Sequence, residues 1–242
     1  MKVLFTRFLI LLGLSISIVS CMKDDMDGPN AQVYGIIKDK VTGEAVETEL
    51  INGSIIQAFE LGYATPVAQN WVIKNNGEYR NNLVFANKYN FNLINGNFIP
   101  VSVTDYEIKP GENKLDFEVD PYIRVKNCNI TKDASNKIVA TFNLEAGVSA
   151  AKLSAIRLYA FSDIYVGESV KFNTTGSGFQ QSFGTPAVIN PATTYTLTID
   201  LNANSTLFPA GRDYFFRVGA LASISGYGTV RRNYAPYVKI SL

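Results

Sequence analysis

The 242-residue chain has no histidine, only two cysteines and a single tryptophan, and its charges almost cancel, with 22 Lys and Arg against 21 Asp and Glu. Without histidine there can be no Ser-His-Asp triad, no imidazole general base and no histidine-bound metal. Cys128 lies in the strand-like stretch Val125-Lys126-Asn127-Cys128-Asn129-Ile130. A nucleophilic thiolate would want a basic partner there, so a small buried hydrophobe is its expected role. The charge balance supplies no basic stripe to displace counterions from phosphates, which argues against nucleic acid as a partner. A carboxylate pair of the glycosidase kind needs two acids converging in a cleft. Here the acids mostly alternate with apolar residues or sit in turns, as Glu112, Asp116 and Glu118 do, so no catalytic residue, cofactor or metal site is expected.

A hydrophobic run long enough to cross a bilayer is also missing. The longest candidate, Phe8 to Val19, would reach about 18 Å as a helix, whereas a bilayer core is about 30 Å thick. Lys2 and Arg7 precede that run and Val19-Ser20-Cys21 closes it, the layout of a secretory signal with a cysteine at its cleavage point. Residues 1–20 therefore read as a signal peptide. Cleavage would leave Cys21 at the new N-terminus, able to carry a diacylglycerol thioether and an amide-linked acyl chain, several chains being needed for stable anchoring. Met22 to Ala31 contains Gly28, Pro29 and charged residues, so residues 21–30 read as a lipidated acidic tether. Loss of Lys2 and Arg7 leaves 20 basic residues against 21 acidic ones, and no partner for an intramolecular disulfide with Cys128. Lys23, Asp24 and Asp25 beside the lipid resemble the export tag of Bacteroidetes surface lipoproteins. That resemblance implies the outer membrane facing the cell exterior, with periplasmic retention as the alternative.

Beyond the tether the dominant hydrophobic period is two, punctuated by turn residues, which predicts an all-β chain. Strands are expected at Val33–Asp39, 54–61, Lys88–Ile94, 97–103 and 114–119, the last with Leu115, Phe117 and Val119 on a core face and Asp116 in water. Asn76-Gly77 and Asn95-Gly96 suit type I′ hairpin turns, in which both central residues have positive φ. Asp120-Pro121-Tyr122 is a short rigid boundary. After it, Ile138, Ala140, Phe142 and Leu144 alternate, as do Tyr195, Leu197, Ile199 and Leu201. Two consecutive β domains follow from this, 31–121 and 122–242, and the resemblances carried by their motifs imply that both are β-sandwiches.

Val33-Tyr34-Gly35-Ile36-Ile37 with Asp39, Thr42-Gly43-Glu44-Ala45-Val46, Asn76-Gly77-Glu78-Tyr79 and Tyr89-Asn90-Phe91 resemble transthyretin-like, carboxypeptidase-regulatory domains, which implies a non-catalytic sandwich. Leu207-Phe208-Pro209-Ala210-Gly211-Arg212-Asp213-Tyr214 resembles the fibronectin type III and immunoglobulin-like pattern, with Tyr214 placed as a tyrosine corner whose hydroxyl ties back to backbone. Taken whole, the chain resembles a family of Bacteroidetes outer-membrane lipoproteins carrying a domain-of-unknown-function label. The resemblance implies an accessory of a starch-utilisation-type glycan uptake system, working beside a TonB-dependent transporter and its partner lipoprotein.

A glycan would be gripped by flat aromatic faces with amides and carboxylates around them. Candidate ligand residues are Trp71 beside Asn70, Phe179 in the polar stretch 172–183, and Tyr227, Arg231 and Tyr234 near the last strands. Each has a plainer alternative: a core tryptophan, a mobile loop, an ordinary hairpin. Asp200-Leu201-Asn202-Ala203-Asn204 has the alternating oxygens of a calcium loop but no glycine where one is required, and reads as a polar turn. The rival to glycan recognition is an interaction role, as a structural module of the transporter complex or an adhesin-like subunit using a strand edge.

Overall fold

A computed structural model describes residues 27–242; the signal, Cys21 and the tag Lys23, Asp24 and Asp25 lie outside the described residues. The described chain is all-β and forms two sandwiches. The N-terminal one contains β1 (Ala31–Asp39), β2 (Ile55–Glu60), β3 (Ala68–Val72), β4 (Glu78–Val84), β5 (Lys88–Ile94), β6 (Val101–Glu107), β7 (Gly111–Lys114) and β8 (Phe117–Val119). One sheet has the order β4-β1-β7 with β8 also on β1, and the other has the order β3-β2-β5-β6. Between them Trp71, Tyr79, Tyr89, Phe91 and Phe117 interlock, with Trp71 and Phe117 each edge-on to Phe91.

β1 alternates buried and half-buried along its whole length, as a strand with one face in a core should. Its parallel partner is split. A side chain at Gly35 would place a Cβ 1.8 Å from the Leu115 carbonyl oxygen, so only glycine lets the two backbones meet there. Beside it, Asp116 replaces a ladder partner by accepting the Ile36 N–H at 3.1 Å while pairing with Lys38 at 2.6 Å. The expected single strand 114–119 with Asp116 in water is thus corrected to β7 and β8 flanking an inserted carboxylate. The turns differ too. Only Gly77 (φ 82°) and Asn95 (φ 53°) have positive φ, one per pair, so neither turn is type I′. Gly77 N–H bonds to the Lys74 carbonyl and Lys74 N–H to that of Glu78, giving a turn that ends in a left-handed glycine. The strand expected from 97 starts instead at Val101, because Asn97 to Ile99 pair with the linker at Asp120 to Tyr122 rather than with β5.

The C-terminal sandwich contains β9 (Ile123–Lys132), β10 (Lys137–Ala146), β11 (Lys152–Phe161), β12 (Gln180–Val188), β13 (Thr194–Asp200), β14 (Asp213–Ser223), β15 (Arg232–Tyr234) and β16 (Val238–Ser241). Sheet β13-β10-β9 faces β12-β11-β14, with β15 and β16 both paired to β14. Ile138, Ala140, Phe142 and Leu144 point into a core shared with Leu158, Phe216 and Val218. Tyr214 donates its hydroxyl to the Pro209 carbonyl at 2.9 Å, closing the tyrosine corner legible in the sequence.

Candidate functional site at the domain junction

Of the aromatic ligand candidates, three face inward. Trp71 fills the N-terminal core opposite Ile56, so its ring offers no open face. Phe179 is buried because its segment is sewn between strands: its carbonyl accepts from Leu158 and that of Gly178 from Thr198. The polar stretch 172–183 is a largely exposed loop up to Gly178 and strand from Gln180, with Phe172 packed on Phe161, Phe208 and Tyr214. Tyr234 is buried beneath Arg217, whose guanidinium carbon lies 4.3 Å from its ring centre. Tyr227 remains 36 % exposed, leaning on Tyr122. Arg231 is half-buried and its N–H bonds to the Gly96 carbonyl of the other domain. In the Asp200 turn the carboxylate accepts the N–H groups of Asn202 and Ala203, as a polar turn does. Among the described residues no group of carboxylates or thiols is arranged to hold a metal ion.

What the structure brings together instead is a seam between the domains. The linker is stitched down, Ile99 N–H to the Asp120 carbonyl and Tyr122 N–H to that of Asn97. Asn97 donates to the carbonyls of Glu47 and Arg232, and Asn233 donates to that of Asn97 while accepting the Ile123 N–H. Arg217 is fully buried and spends its donors across the seam, on Glu47 and the carbonyls of Thr48 and Asn75, and within its own domain on those of Val166 and Ala235. Arg124 grips Asp39 with two hydrogen bonds and reaches Glu145 with a third at 3.0 Å. Planar guanidinium forks suit such bidentate and multiple contacts in a way a lysine ammonium does not.

Between these clamps lies an open cleft of about 570 Å³, within the usual range of small-ligand sites. Its floor includes the Asp39–Arg124 pair, Asn233 and Tyr234, its apolar walls Val46 and Ile123, and its rim Thr42, Glu44, Lys126 and Asn127. The three cleft carboxylates are all engaged, Asp39 with Arg124, Glu47 with Arg217 and Glu44 with Lys126. Cys128 lines the same cleft, and burial pushes its thiol up to about 11, so it is protonated and unreactive at neutral pH. A cleft whose charges are paired, and whose rim offers a hydroxyl and an amide, suits a neutral ligand rich in hydroxyls.

The carboxyls on and near the seam shift in both directions. Burial would raise Asp39, but hydrogen bonds from Arg124 and Val41, with the Arg124 charge, outweigh it and hold the group below the usual carboxylate range. Burial likewise opposes, and the Tyr159 hydrogen bond with the charges of Arg232 and Lys171 overcomes it, at Glu168; Asp116 is lowered in the same manner by Lys38 and the Ile36 N–H. Burial lifts Glu47 despite Arg217. A carboxyl held low in the folded state adds stability that is complete above its unfolded pKa of about 4 and lost as pH falls through its folded value. Asp39, Asp116 and Glu168 therefore lower stability on acidification, and Glu47 acts with the opposite sign. With Glu47→Gln removing the opposing group, urea midpoints are expected to be flat from about pH 7 to 5 and to fall below about pH 4; midpoints of that variant that rise on acidification would contradict the assignment.

Sequence reasoning missed Asp39, Arg124 and Arg217 as seam residues. A signal existed for one of them: Tyr214-Phe215-Phe216-Arg217-Val218-Gly219-Ala220 is a near-continuous apolar run, the mark of a strand buried on both faces, with one arginine inside it.

Two family models cover nearly all of the described chain: the N-terminal domain of a protein of unknown function, DUF3823, over residues 31–120, and the DUF3823_C domain of unknown function over residues 123–239. No curated protein matches. A solved structure of a candidate carbohydrate-binding protein from Bacteroides uniformis is 47 % identical, with a TM-score of 0.85, and the match spans 89 % of this chain and 100 % of that one. DUF3823 family proteins from Parabacteroides merdae and Bacteroides uniformis share the fold at TM-scores of 0.70, with 19 % and 21 % identity over 89 % and 88 % of this chain and all of theirs. This two-domain β-sandwich chain belongs to the DUF3823 family.

Proposed function

We propose that the protein is a lipid-anchored surface lipoprotein that binds a neutral oligosaccharide in the cleft between its two domains and does not transform it. The cleft carries the proposal: it is open, of ligand size, fixed by ion pairs and hydrogen bonds from both domains, and its carboxylates are already paired. A carboxylate that an arginine holds ionised, as Arg124 holds Asp39, accepts from hydroxyls but has no proton to give as a general acid. The 47 % identity to a candidate carbohydrate-binding protein supports the ligand class. The signal layout and acidic tag support placement on the outer membrane, and delivery of the bound glycan to a TonB-dependent transporter and its partner lipoprotein follows as the biological setting.

The test is a screen of the purified chain against immobilised plant, host and bacterial glycans, repeated with Asn127→Ala and with Thr42→Val/Lys126→Ala on the cleft rim. Binding by the parent, weakened about tenfold or more (~1.4 kcal/mol) in the folded rim variants, is the expected result. Binding that survives both variants unchanged moves the site away from the cleft. Silence across all glycans overturns the ligand class and favours a protein partner.

A further inference from the structure

The two ends of the N-terminal sandwich are chemically unlike. Every contact to the C-terminal domain described above comes from one end, through Asp39, Glu44, Glu47, Thr48, Asn75, Gly96 and Asn97. The strand register assembles the other end from the start of β1, the β2–β3 loop, the β4–β5 loop and the β6–β7 turn, since Ala31 pairs with Val84 and Gly111, Phe59 with Ala68, and Lys88 with Glu107. Asn87 ties two of these loops together by donating to Glu60 and to the Leu61 carbonyl, and Asn30 ties in the chain's own entry by accepting the Ala86 N–H.

That end exposes Tyr63 (63 %), Val67 (77 %), Leu83 (74 %) and Phe85 (42 %), two aromatic and two aliphatic side chains carried by the β2–β3 loop, the end of β4 and the β4–β5 loop. It is also where the chain arrives from Cys21. Nine peptide steps separate Cys21 from Asn30, a reach of at most about 33 Å whatever the path. A lipid on Cys21 therefore confines this tip to the neighbourhood of the bilayer surface, where tyrosine and other amphipathic or apolar side chains partition into the headgroup boundary.

We infer that the tip bearing Tyr63, Val67, Leu83 and Phe85 is a second, non-covalent membrane contact that seats the N-terminal domain on the lipid surface and fixes the orientation of the molecule. It rests on the lipid-anchor part of the proposed function and is independent of the glycan part. β1, nine residues long, runs from this tip to Asp39 in the cleft floor, a span of about 26 Å at 3.3 Å per residue step. Seated in this way, the cleft is held clear of the headgroups.

The test uses the lipidated full chain in pure phosphatidylcholine and phosphatidylglycerol vesicles. In a Cys128→Ala background, a polarity-sensitive fluorophore is placed on Tyr63→Cys, on Leu83→Cys and, as the distal reference, on Ser135→Cys in the exposed β9–β10 turn. Brominated lipids are expected to quench the two tip labels at least threefold more than the reference. Adding Phe85→Asn and Val67→Asn is expected to reduce that quenching while leaving the reference unchanged. Equal, weak quenching at all three positions overturns the inference. Protection of the tip from aqueous quenchers in cells but not in pure vesicles also overturns it, assigning the tip to a protein. The mass of the N-terminal peptide is read in the same samples. An unmodified Cys21 removes the anchor and this orientation with it, whereas failure to bind glycan leaves both standing.

Discussion

Replacing Arg217 by methionine is expected to destabilise the protein by about 3–5 kcal/mol and to uncouple its two domains. The guanidinium is fully buried and holds Glu47 and the carbonyls of Thr48, Asn75, Val166 and Ala235, so its removal strands one carboxylate and four acceptors at once. Leaving buried polar groups without partners costs about 1–3 kcal/mol each, moderated where water can enter. Arg217→Lys is expected to rescue little, because a single ammonium cannot face these directions together. Urea unfolding followed by tryptophan emission and by far-ultraviolet circular dichroism separates the outcomes. Trp71, the only tryptophan, reports the N-terminal core alone. Coincident transitions in the parent and split transitions in Arg217→Met would show that the seam couples the domains. A variant whose transitions stay coincident and shift by less than about 1 kcal/mol would assign the coupling elsewhere.

Gly35→Ala is expected to be the more damaging change within a single domain, at about 3 kcal/mol or more, the upper part of the range for overpacking. Its new Cβ would fall 1.8 Å from the Leu115 carbonyl oxygen, a backbone atom that cannot swing aside as a flexible side chain could. To relieve the clash β1 must part from the β7–β8 segment, which would also break the Ile36–Asp116 hydrogen bond and loosen the Lys38 pair. Amide exchange gives a local readout: Leu115 N–H, bonded to the Tyr34 carbonyl, should lose protection while β10 in the other domain keeps it. Unchanged protection at Leu115 would refute the close-approach account.

These two positions show what was legible in the chain and what was not. Period-two alternation marked β1, β10 and β13 because each has one face in a core, and Pro209 with Tyr214 marked the corner because its chemistry is local in sequence. Gly35 was visible as part of a strand motif, but its reason, a carbonyl eighty residues away, was not. Asp116 looked like a water-facing acid because alternation reports the face a residue points to, and cannot report that its carboxylate replaces a missing ladder bond. Three of the aromatic candidates are buried for a related cause. Trp71, Phe179 and Tyr234 lie near polar residues in sequence, yet their rings turn inward because burying an aromatic side chain is worth more than displaying it. The cleft was illegible because it belongs to neither domain: Asp39 and Arg124 become neighbours only when two separately readable sandwiches meet.

The seam also orders events in time. Its bonds join residues far apart along the chain, 170 positions for Glu47 and Arg217 and 135 for Asn97 and Arg232, whereas β9 meets β10 across a tight turn. Ring closures of that length are entropically costly until both partners are pre-assembled. Glu47 and Asn97 must therefore wait, on a finished first domain, for partners at positions 217 and 232 that are synthesised near the end of the chain, so the cleft is the final part of the molecule to come into being.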